Sequence, residues 1–557
     1  MAIVHSKHSV HAPETDLLSY LFDSPYNNDR TWQASEPLLQ CATVTDPSYT
    51  LTQIKSLVKR VGCGLSKLGA QGKRVMVYGD ANIHFPLAVL GVVAAGAACN
   101  LLAPGPVENL VSRLKQLDCD IVLCAPGDLG DVLAAARELG IPTERLFVVD
   151  GVLGGGDWRS RGRSEKGDAR HWSYLLDTPG GDDYEWPRLS SEEAKTTTAV
   201  LLYTSGTTGT SKLASRTHYS LIGNIAQTLS HYNLRKRGPQ EAISCNYKFC
   251  GMGFLILGIM LPLKARYKTL FPAPGFEPES FSQTVARFKP TWLMLPKHVM
   301  RELLENPRPG CFASVQHVLT GGAIIPYDLV QEWQGLYGSQ VQSTYGMTEA
   351  GFFTMPDPNT PVEDATTGVL LPNVEAKILN DEGKMLSRNQ KGHVYTRTPF
   401  VMNGYFGEPV HTAQTISQDG WIRTGDVGWV DERDRFYIVG RVKDLFKVKG
   451  DNVSAAEIET AILQHPDVRD VAVIPVTLTG DEEPVPRGYI VKAGDSSLTI
   501  DEFMHWTRGS LESRMQLHGG AAFIDVIPIS NVGNSKVDRK RLCEIAEREL
   551  QGSDRLG

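Results

Sequence analysis

Residues 203–212 read Y-T-S-G-T-T-G-T-S-K, directly behind the apolar run Ala199-Val200-Leu201-Leu202. An apolar run that breaks into Gly, Ser and Thr predicts a buried strand feeding a tight loop. Gly206 and Gly209 permit positive φ and let the backbone come close to a ligand. Successive backbone N–H groups in such a loop form an anion-binding nest. The hydroxyls of Thr204, Ser205, Thr207 and Thr208 and the ammonium of Lys212 add donors. The stretch reads as a phosphate cradle. It is not a Walker loop, which needs four residues between its glycines and a Gly-Lys-Ser/Thr ending. Here Lys212 is followed by Leu213. Alone, the loop is better read as a solvated Ser/Thr/Gly turn, so segments far downstream must decide.

The chain has 557 residues, too many for one ordinary core, which implies at least two domains. It is 41% hydrophobic and 21% charged, with a net charge of -7. That mild acidity excludes the basic face of a nucleic-acid binder. Nine cysteines form no CxxC pair and no zinc spacing, the pattern of buried, reduced thiols. The N-terminus lacks the apolar core of a signal peptide, and the final D-R-L-G is not a Ser-Lys-Leu address; a cytoplasmic location is expected. Residues 85–104 are apolar and about long enough to span a membrane. They are rich in Ala and Gly, contain Asn100 and have no basic flank, so a buried helix with no membrane span is expected.

From 45 to 150 the pattern alternates: helix over 51–68, strand over 74–78, helix over 107–117, strand over 120–124. This predicts an α/β layer with mostly parallel strands. Residues 151–168 are rich in Gly and charge and read as a surface insertion. Near Arg441 a second unit begins. Ser454-Ala455-Ala456-Glu457 is a capping box opening a helix that stops before Pro466, with strands over 471–474 and 489–491. The expected fold is a large N-terminal domain (1–440) of α/β subdomains with parallel-rich sheets, plus a small mobile C-terminal α+β domain (441–557).

Four more segments complete the set: Thr344-Tyr345-Gly346-Met347-Thr348-Glu349-Ala350-Gly351; Arg423-Thr424-Gly425-Asp426; Gly440-Arg441-Val442-Lys443-Asp444 ahead of Lys447-Val448-Lys449-Gly450; and Ser535-Lys536 near the C-terminus. In order and spacing, from about 45 to 545, they resemble the adenylate-forming superfamily of acyl-CoA synthetases, adenylation domains and luciferases. Leu517-His518-Gly519-Gly520-Ala521 is similar to a stretch of the 4-coumarate-CoA-ligase-like group. Residues 211–218 are similar to aryl-acid adenylating enzymes instead.

The resemblance implies a two-step reaction: a carboxylate attacks the α-phosphorus of ATP to give acyl-AMP and pyrophosphate, then a thiol displaces AMP. It implies ATP, Mg²⁺ and, as acceptor, CoA. Thr204–Lys212 would cradle the β- and γ-phosphates, with Thr208 and Glu349 on the metal, a hard ion suited to oxygen ligands. Tyr345 would stack on adenine against Gly321, Gly322 and Ala323, with Thr344, Gly346 and Ile438 nearby. Thr348 would bond the α-phosphate, and Asp426, supported by Arg441, would accept from the ribose hydroxyls. Lys536 would reach the reacting oxygens. Lys443 would be the hinge that exchanges Lys536 for the Lys447, Lys449 and Gly450 face on the μs–ms scale of domain motions.

Several positions depart from that family's pattern. Ser211 and Leu213 replace Pro and Gly beside the loop lysine, Ser535 replaces the Gly before Lys536, and Asn452 replaces Gln. The acid pocket departs most. Asn246, Lys248, Phe249, Cys250, Gly251, Gly322, Thr344, Gly351 and Phe352 are its expected lining, with Lys248 in place of His and Thr344 in place of Gly. A β-branched residue at that floor favours a compact aromatic or short-to-medium-chain acid. Lys248 would either pair with a second polar group on the acid or snorkel to solvent. No carrier domain follows Lys536, which leaves open free CoA, a carrier-protein thiol in trans or an amine as acceptor. A non-catalytic nucleotide-binding protein is a remote alternative, and both monomer and homodimer stay open.

Overall fold

The computed structural model describes the chain outside residues 1–2, 24, 26–34, 43–47, 81, 151–168, 205–210, 234–241, 246–248, 272–275, 358–359, 449–450, 479–483, 495, 530–536 and 554–557. The insertion expected over 151–168 therefore lies outside the described residues.

Five sheets organise the described chain. One has eight strands, in the order Gly404–Tyr405, Leu213–Thr217, Thr198–Tyr203, Ala98–Leu102, Arg74–Tyr78, Val122–Cys124, Leu146–Val148 and Arg170–His171. From Thr198–Tyr203 to Arg170–His171 its pairings are parallel; the two strands at the other edge join antiparallel. A nine-stranded sheet holds a parallel core that includes Trp292–Met294, His317–Gly321 and Gln340–Met347, followed by antiparallel Gly351–Met355 and the edge strand Val369–Leu370. A five-stranded antiparallel sheet ends in Ile422–Val430 and Phe436–Arg441. Beyond it lie a two-stranded and a three-stranded sheet.

Local chemistry accounts for the main elements. The helix expected over 51–68 is Leu51–Lys67, opened by a capping box of Thr50 and Gln53. The strand over 74–78 and the helix over 107–117 appear at those bounds, as does the Ser454–Glu457 capping box before Ala455–Ile462. The reading of 85–104 as one buried helix needs correction. It is a buried helix, Phe85–Ala94, followed by the strand Ala98–Leu102, because the chain turns after Ala95 to place a second apolar run inside the sheet. Among the described residues no helix is long and apolar enough to cross a membrane.

Burial follows the same plan. The large apolar clusters draw on residues up to Ile438, and two others draw only on residues from Phe446 onward. Cys41, Cys63, Cys99, Cys119, Cys124 and Cys250 are buried free thiols, while Cys311 and Cys543 are half-buried ones. Burial pushes the Cys119 thiol up to about 11, the state of an inert core residue.

Candidate active site

One cavity of about 390 Å³ gathers most of the described residues singled out from sequence. Its first wall is the stem of the phosphate loop. Leu213 pairs opposite Tyr203, and the Thr204 N–H donates to the Lys212 carbonyl at 2.8 Å, so the ends of the loop are pinned together. Residues 205–210, with Ser205, Gly206, Thr207, Thr208 and Gly209, lie outside the described residues. Arg113 braces the stem from a neighbouring helix: its guanidinium lies 4.2 Å from the Tyr203 ring centre and donates to Ser211 Oγ at 2.8 Å. Thr204 and Lys212 line the cavity, and the Lys212 ammonium sits 5.2 Å from the Tyr405 ring centre.

The second wall is the turn at Thr348 and Glu349, both of which line the cavity. Glu349 is only 6% exposed, and its Oε1 accepts from Tyr405 Oη at 2.6 Å. Burial, reinforced by the charge of Glu349, holds the Tyr405 phenol well above its ordinary pKa, so it remains a donor. Lys212, Tyr405 and Glu349 thus form a chain from the phosphate loop to a buried carboxylate.

The third wall joins two strands. Asp426 and Arg441 face each other in antiparallel register, and Arg441 Nε meets Asp426 Oδ1 at 2.8 Å. Tyr345 Oη donates to Asp426 Oδ2 at 2.7 Å. Burial pushes the Tyr345 phenol well up, and the Asp426 charge adds to the shift. Burial is the strongest single influence on Arg441 and opposes its charge, but Asp426 together with Tyr345, Glu349 and Asp444 leaves the guanidinium above its ordinary pKa. Arg441, Val442 and Lys443 line the cavity, as do Arg423, Gly321, Gly322, Thr344 and Gly346. Four positions differ from expectation. Asp426 is buried just outside the lining, with one oxygen on Arg441 and the other on Tyr345. Tyr345 is a buried side chain rather than an open platform, because its ring packs against Phe353 and its hydroxyl is engaged. Ile438 packs on the large core, and Ala323 is exposed outside the lining.

The fourth wall is apolar: Met252, Leu257, Met294, Leu319 and Phe352, with Gly251 and Gly351 between them. The lining starts at Gly251. Phe249 and Cys250, expected to line it, are buried outside it instead, and Phe249 packs edge-on to Phe85 at 4.9 Å. Leu257 comes from a π-helix, Phe254–Met260. Pro262 has no N–H for the carbonyls one turn back. Leu257 O accepts from Tyr267 Oη at 3.3 Å and Gly258 O from Thr269 Oγ1 at 3.0 Å, which satisfies the widened turn. Thr344 lines the cavity, and its Oγ1 donates to Thr320 O at 3.1 Å, which fixes the side chain there. Asn246 and Lys248 lie outside the described residues, as do Lys449, Gly450 and Lys536, while Lys447 is in the strand Leu445–Val448 with its side chain undescribed.

Among the described residues no group of three His, Cys, Asp or Glu side chains gathers to hold a metal. A buried carboxylate linked through Tyr405 to the phosphate-loop lysine nevertheless fits Mg²⁺, which takes one or two carboxylates plus substrate phosphates and water. Sequence reasoning missed Tyr405, Arg423 and the apolar residues from Met252 to Leu319. Tyr405 sits in N-G-Y-F, whose pairing onto Leu213–Thr217 at the sheet edge joins residues nearly two hundred positions apart, about the one feature that local patterns do not carry.

Comparison with known proteins agrees with this geometry. Residues 31–406 match the AMP-binding enzyme family and residues 457–534 match the AMP-binding enzyme C-terminal domain. The chain belongs to the AMP-binding enzyme family and is an adenylate-forming enzyme of the acyl-CoA-ligase type, an AMP-forming acid–thiol ligase. It is 30% identical to a phenylacetyl-CoA ligase, epaB, of Aspergillus niger, over 96% of this chain and 97% of that protein. It is 28% identical to a probable 4-coumarate–CoA ligase 3 of Dictyostelium discoideum, over 91% and 92% of the two chains. In fold it is similar to ATP-bound MatB from Rhodopseudomonas palustris, with a TM-score of 0.80 and 23% identity over 96% of this chain and 99% of the other.

Proposed function

We propose that this enzyme couples a compact aromatic or short-to-medium-chain carboxylic acid to AMP and then transfers the acyl group to the thiol of CoA. The observation that carries this reading is the mixed lining of the cavity. Lys212, Glu349, Arg423 and Arg441 supply charge, and Met252, Leu257, Met294, Leu319 and Phe352 supply apolar surface. The cationic groups suit a triphosphate, and the apolar surface suits the body of an acid. The name of the Aspergillus niger relative specifies an arylacetic acid, a body of that kind.

In the first step a carboxylate oxygen attacks the α-phosphorus and pyrophosphate leaves. In the second, the thiol sulfur attacks the acyl carbon and AMP leaves. Little covalent work falls on the protein, so positioning and charge stabilisation dominate. Thr204 and Lys212, with residues 205–209, would grip the β- and γ-phosphates. Thr348 would bond the α-phosphate. Asp426, already oriented by Arg441 and Tyr345, would receive the ribose hydroxyls. Glu349, with Thr208, would hold Mg²⁺, which supplies charge neutralisation at the phosphate oxygens. Lys536 would place a cation at the reacting oxygens. The unit 441–557 would swivel at Lys443, which is exposed in a single 3-10 turn, Val442–Asp444.

A panel of acids in a pyrophosphate-release assay, with and without CoA, tests this. Best turnover on an arylacetic, cinnamic-type or short aliphatic acid, with a CoA thioester as product, is expected. Best turnover on palmitate rejects the compact pocket, and acid-dependent pyrophosphate release without thioester formation moves the acceptor to a carrier or an amine. Thr344→Gly is expected to shift preference toward longer acids, by about tenfold for one or two methylenes.

A further inference from the structure

Arg216 is a fully buried charged group, with 0% exposure, and has no part in the roles assigned so far. It leaves the strand Leu213–Thr217 and spends its donors on three separate segments: the helix His218–His231, the turn at Thr348 and the stretch at Phe400. Nε donates to Ser220 Oγ at 3.2 Å and Nη1 to Thr348 O at 2.9 Å. Nη2 donates to Asn224 Oδ1 at 2.7 Å and Phe400 O at 3.0 Å. None of these acceptors is a carboxylate. A buried guanidinium without a paired anion is costly, and desolvation pulls its pKa down to about 9, opposed only by the charge of Glu349. A stability role alone is better served by an apolar side chain.

The turn it touches explains what the charge does. Three successive carbonyls of that turn are each captured from outside. Thr348 O accepts from Arg216, Glu349 O from the Met402 N–H at 2.6 Å, and Ala350 O from Asn224 Nδ2 at 3.0 Å. Asn224 is itself oriented by Arg216 and by Gln227 Oε1 at 3.0 Å. The Met402 segment is held by Arg216 through Phe400 O. Two glycines admit the network: a Cβ on Gly351, at φ +86°, would lie 2.2 Å from Asn224 Oδ1, and one on Gly223 would lie 2.0 Å from the Phe400 ring. A lysine presents three N–H groups from one point and cannot reach acceptors spread across a planar fork.

We propose that Arg216 is a positioning residue for Thr348 and Glu349, fixing with Asn224 the turn that carries both in the geometry that acyl-AMP formation requires. This rests on the roles assigned to Thr348 and Glu349 under Proposed function. Arg216 is wholly buried and does not line the cavity, so its loss should act on the rate of the chemical step more than on ground-state binding.

The test is single-turnover acyl-AMP formation by the full-length protein with its best acid, reading burst amplitude and rate constant separately. For Arg216→Lys the expected result is a near-stoichiometric burst whose rate constant falls about 10²-fold, with KM for ATP within about threefold of wild type. Asn224→Ala should lose about tenfold, and the double variant less than the product of the two, as expected for one network. A wild-type rate constant in Arg216→Lys overturns the proposal. So does a fall in amplitude with the remaining sites at wild-type speed, which is what a merely structural arginine gives. If Arg216→Lys does not fold, Asn224→Ala decides alone by the same two readouts. Failure of the wild type to form acyl-AMP with any acid would sink the functional reading instead.

Discussion

Two stretches line the same cavity and are held in opposite ways. The turn at Thr348 and Glu349 is buried, with its carbonyls captured by Arg216, Met402 and Asn224 and its carboxylate by Tyr405. The junction from Arg441 to Lys443 is anchored by the ion pair to Asp426 and then runs out to an exposed lysine. Past it, the C-terminal unit meets the rest through polar contacts: Lys391 to Glu457 at 2.8 Å, Arg469 to Glu305 at 2.9 Å, Arg301 to the Arg469 carbonyl at 2.6 Å, and Gln464 to Asp328. Breaking a buried hydrogen bond leaves a group costing about 1–3 kcal/mol, whereas an exposed ion pair is worth about 0–1 kcal/mol. One wall is therefore held by buried hydrogen bonds, and the other is joined to its unit through exposed pairs of little worth.

The largest effect should come where the two meet. Asp426→Asn keeps the shape but leaves Arg441 without its partner charge and weakens the acceptor of Tyr345. A loss of about 10²–10³-fold in kcat/KM for ATP is expected, because removing one member of a buried pair costs about 3–5 kcal/mol. ATP-dependent steady-state kinetics at saturating acid check it; an unchanged value would take nucleotide binding away from this joint.

The rigid side also carries its own acid limit. His218 is buried, its Nδ1 accepts from the Leu17 N–H at 3.0 Å, and desolvation lowers its pKa to about 4. A depressed histidine folds neutral, so its contribution is complete above about pH 6.5, where the unfolded ring is neutral too. It is lost progressively as pH falls toward 4, since the unfolded state takes up the proton first. Urea unfolding should lose roughly 2 kcal/mol between pH 7 and pH 5 from this group, and His218→Gln should flatten that slope. An identical slope in the variant assigns the acid sensitivity elsewhere.

Tyr405→Phe is the next smaller perturbation. It removes one hydrogen bond to Glu349 and leaves the ring beside Lys212. A hydrogen bond to a charged group is worth about 1.5–3 kcal/mol, so acyl-AMP formation should slow by tenfold or somewhat more. Titration of the rate with Mg²⁺ should move to higher concentration. No change in either would mean that Glu349 is oriented by its backbone alone.

Much of the rigid side was legible in sequence because its parts are local. The loop stem and the helix over 107–117 follow from turn chemistry and apolar periodicity, which act over a few residues, and so, on the other side, does the capping box at Ser454. The pairing of Asp426 with Arg441 was expected from the family pattern, and the strand register places them opposite each other. What escaped depends on long-range placement. Phe249 was assigned to the pocket from the family pattern, but one step along an irregular segment sends a side chain to the core rather than the cavity. The apolar run over 85–104 looked like one helix because buried helices and buried strands are equally apolar. Tyr405 and Arg216 could not be read at all, since each acts through a contact made across the sheet edge or the interior.

The smallest predicted effect concerns the loose side. Lys391→Ala and Arg469→Ala each remove one exposed pair between the two units, worth at most about 1 kcal/mol, so overall stability should barely change. The same energy acts on the balance between this docked arrangement and any other the enzyme visits. One kcal/mol is about a fivefold shift in such a balance, which caps the change in CoA-dependent turnover at about fivefold while acyl-AMP formation stays within about twofold. Raising the salt concentration should reproduce the effect in the wild type and add little in the double variant, because both act on the same screened charges. A change well beyond fivefold would show that these contacts do more than rest one unit against the other, and that the junction is as firmly built as the turn it faces.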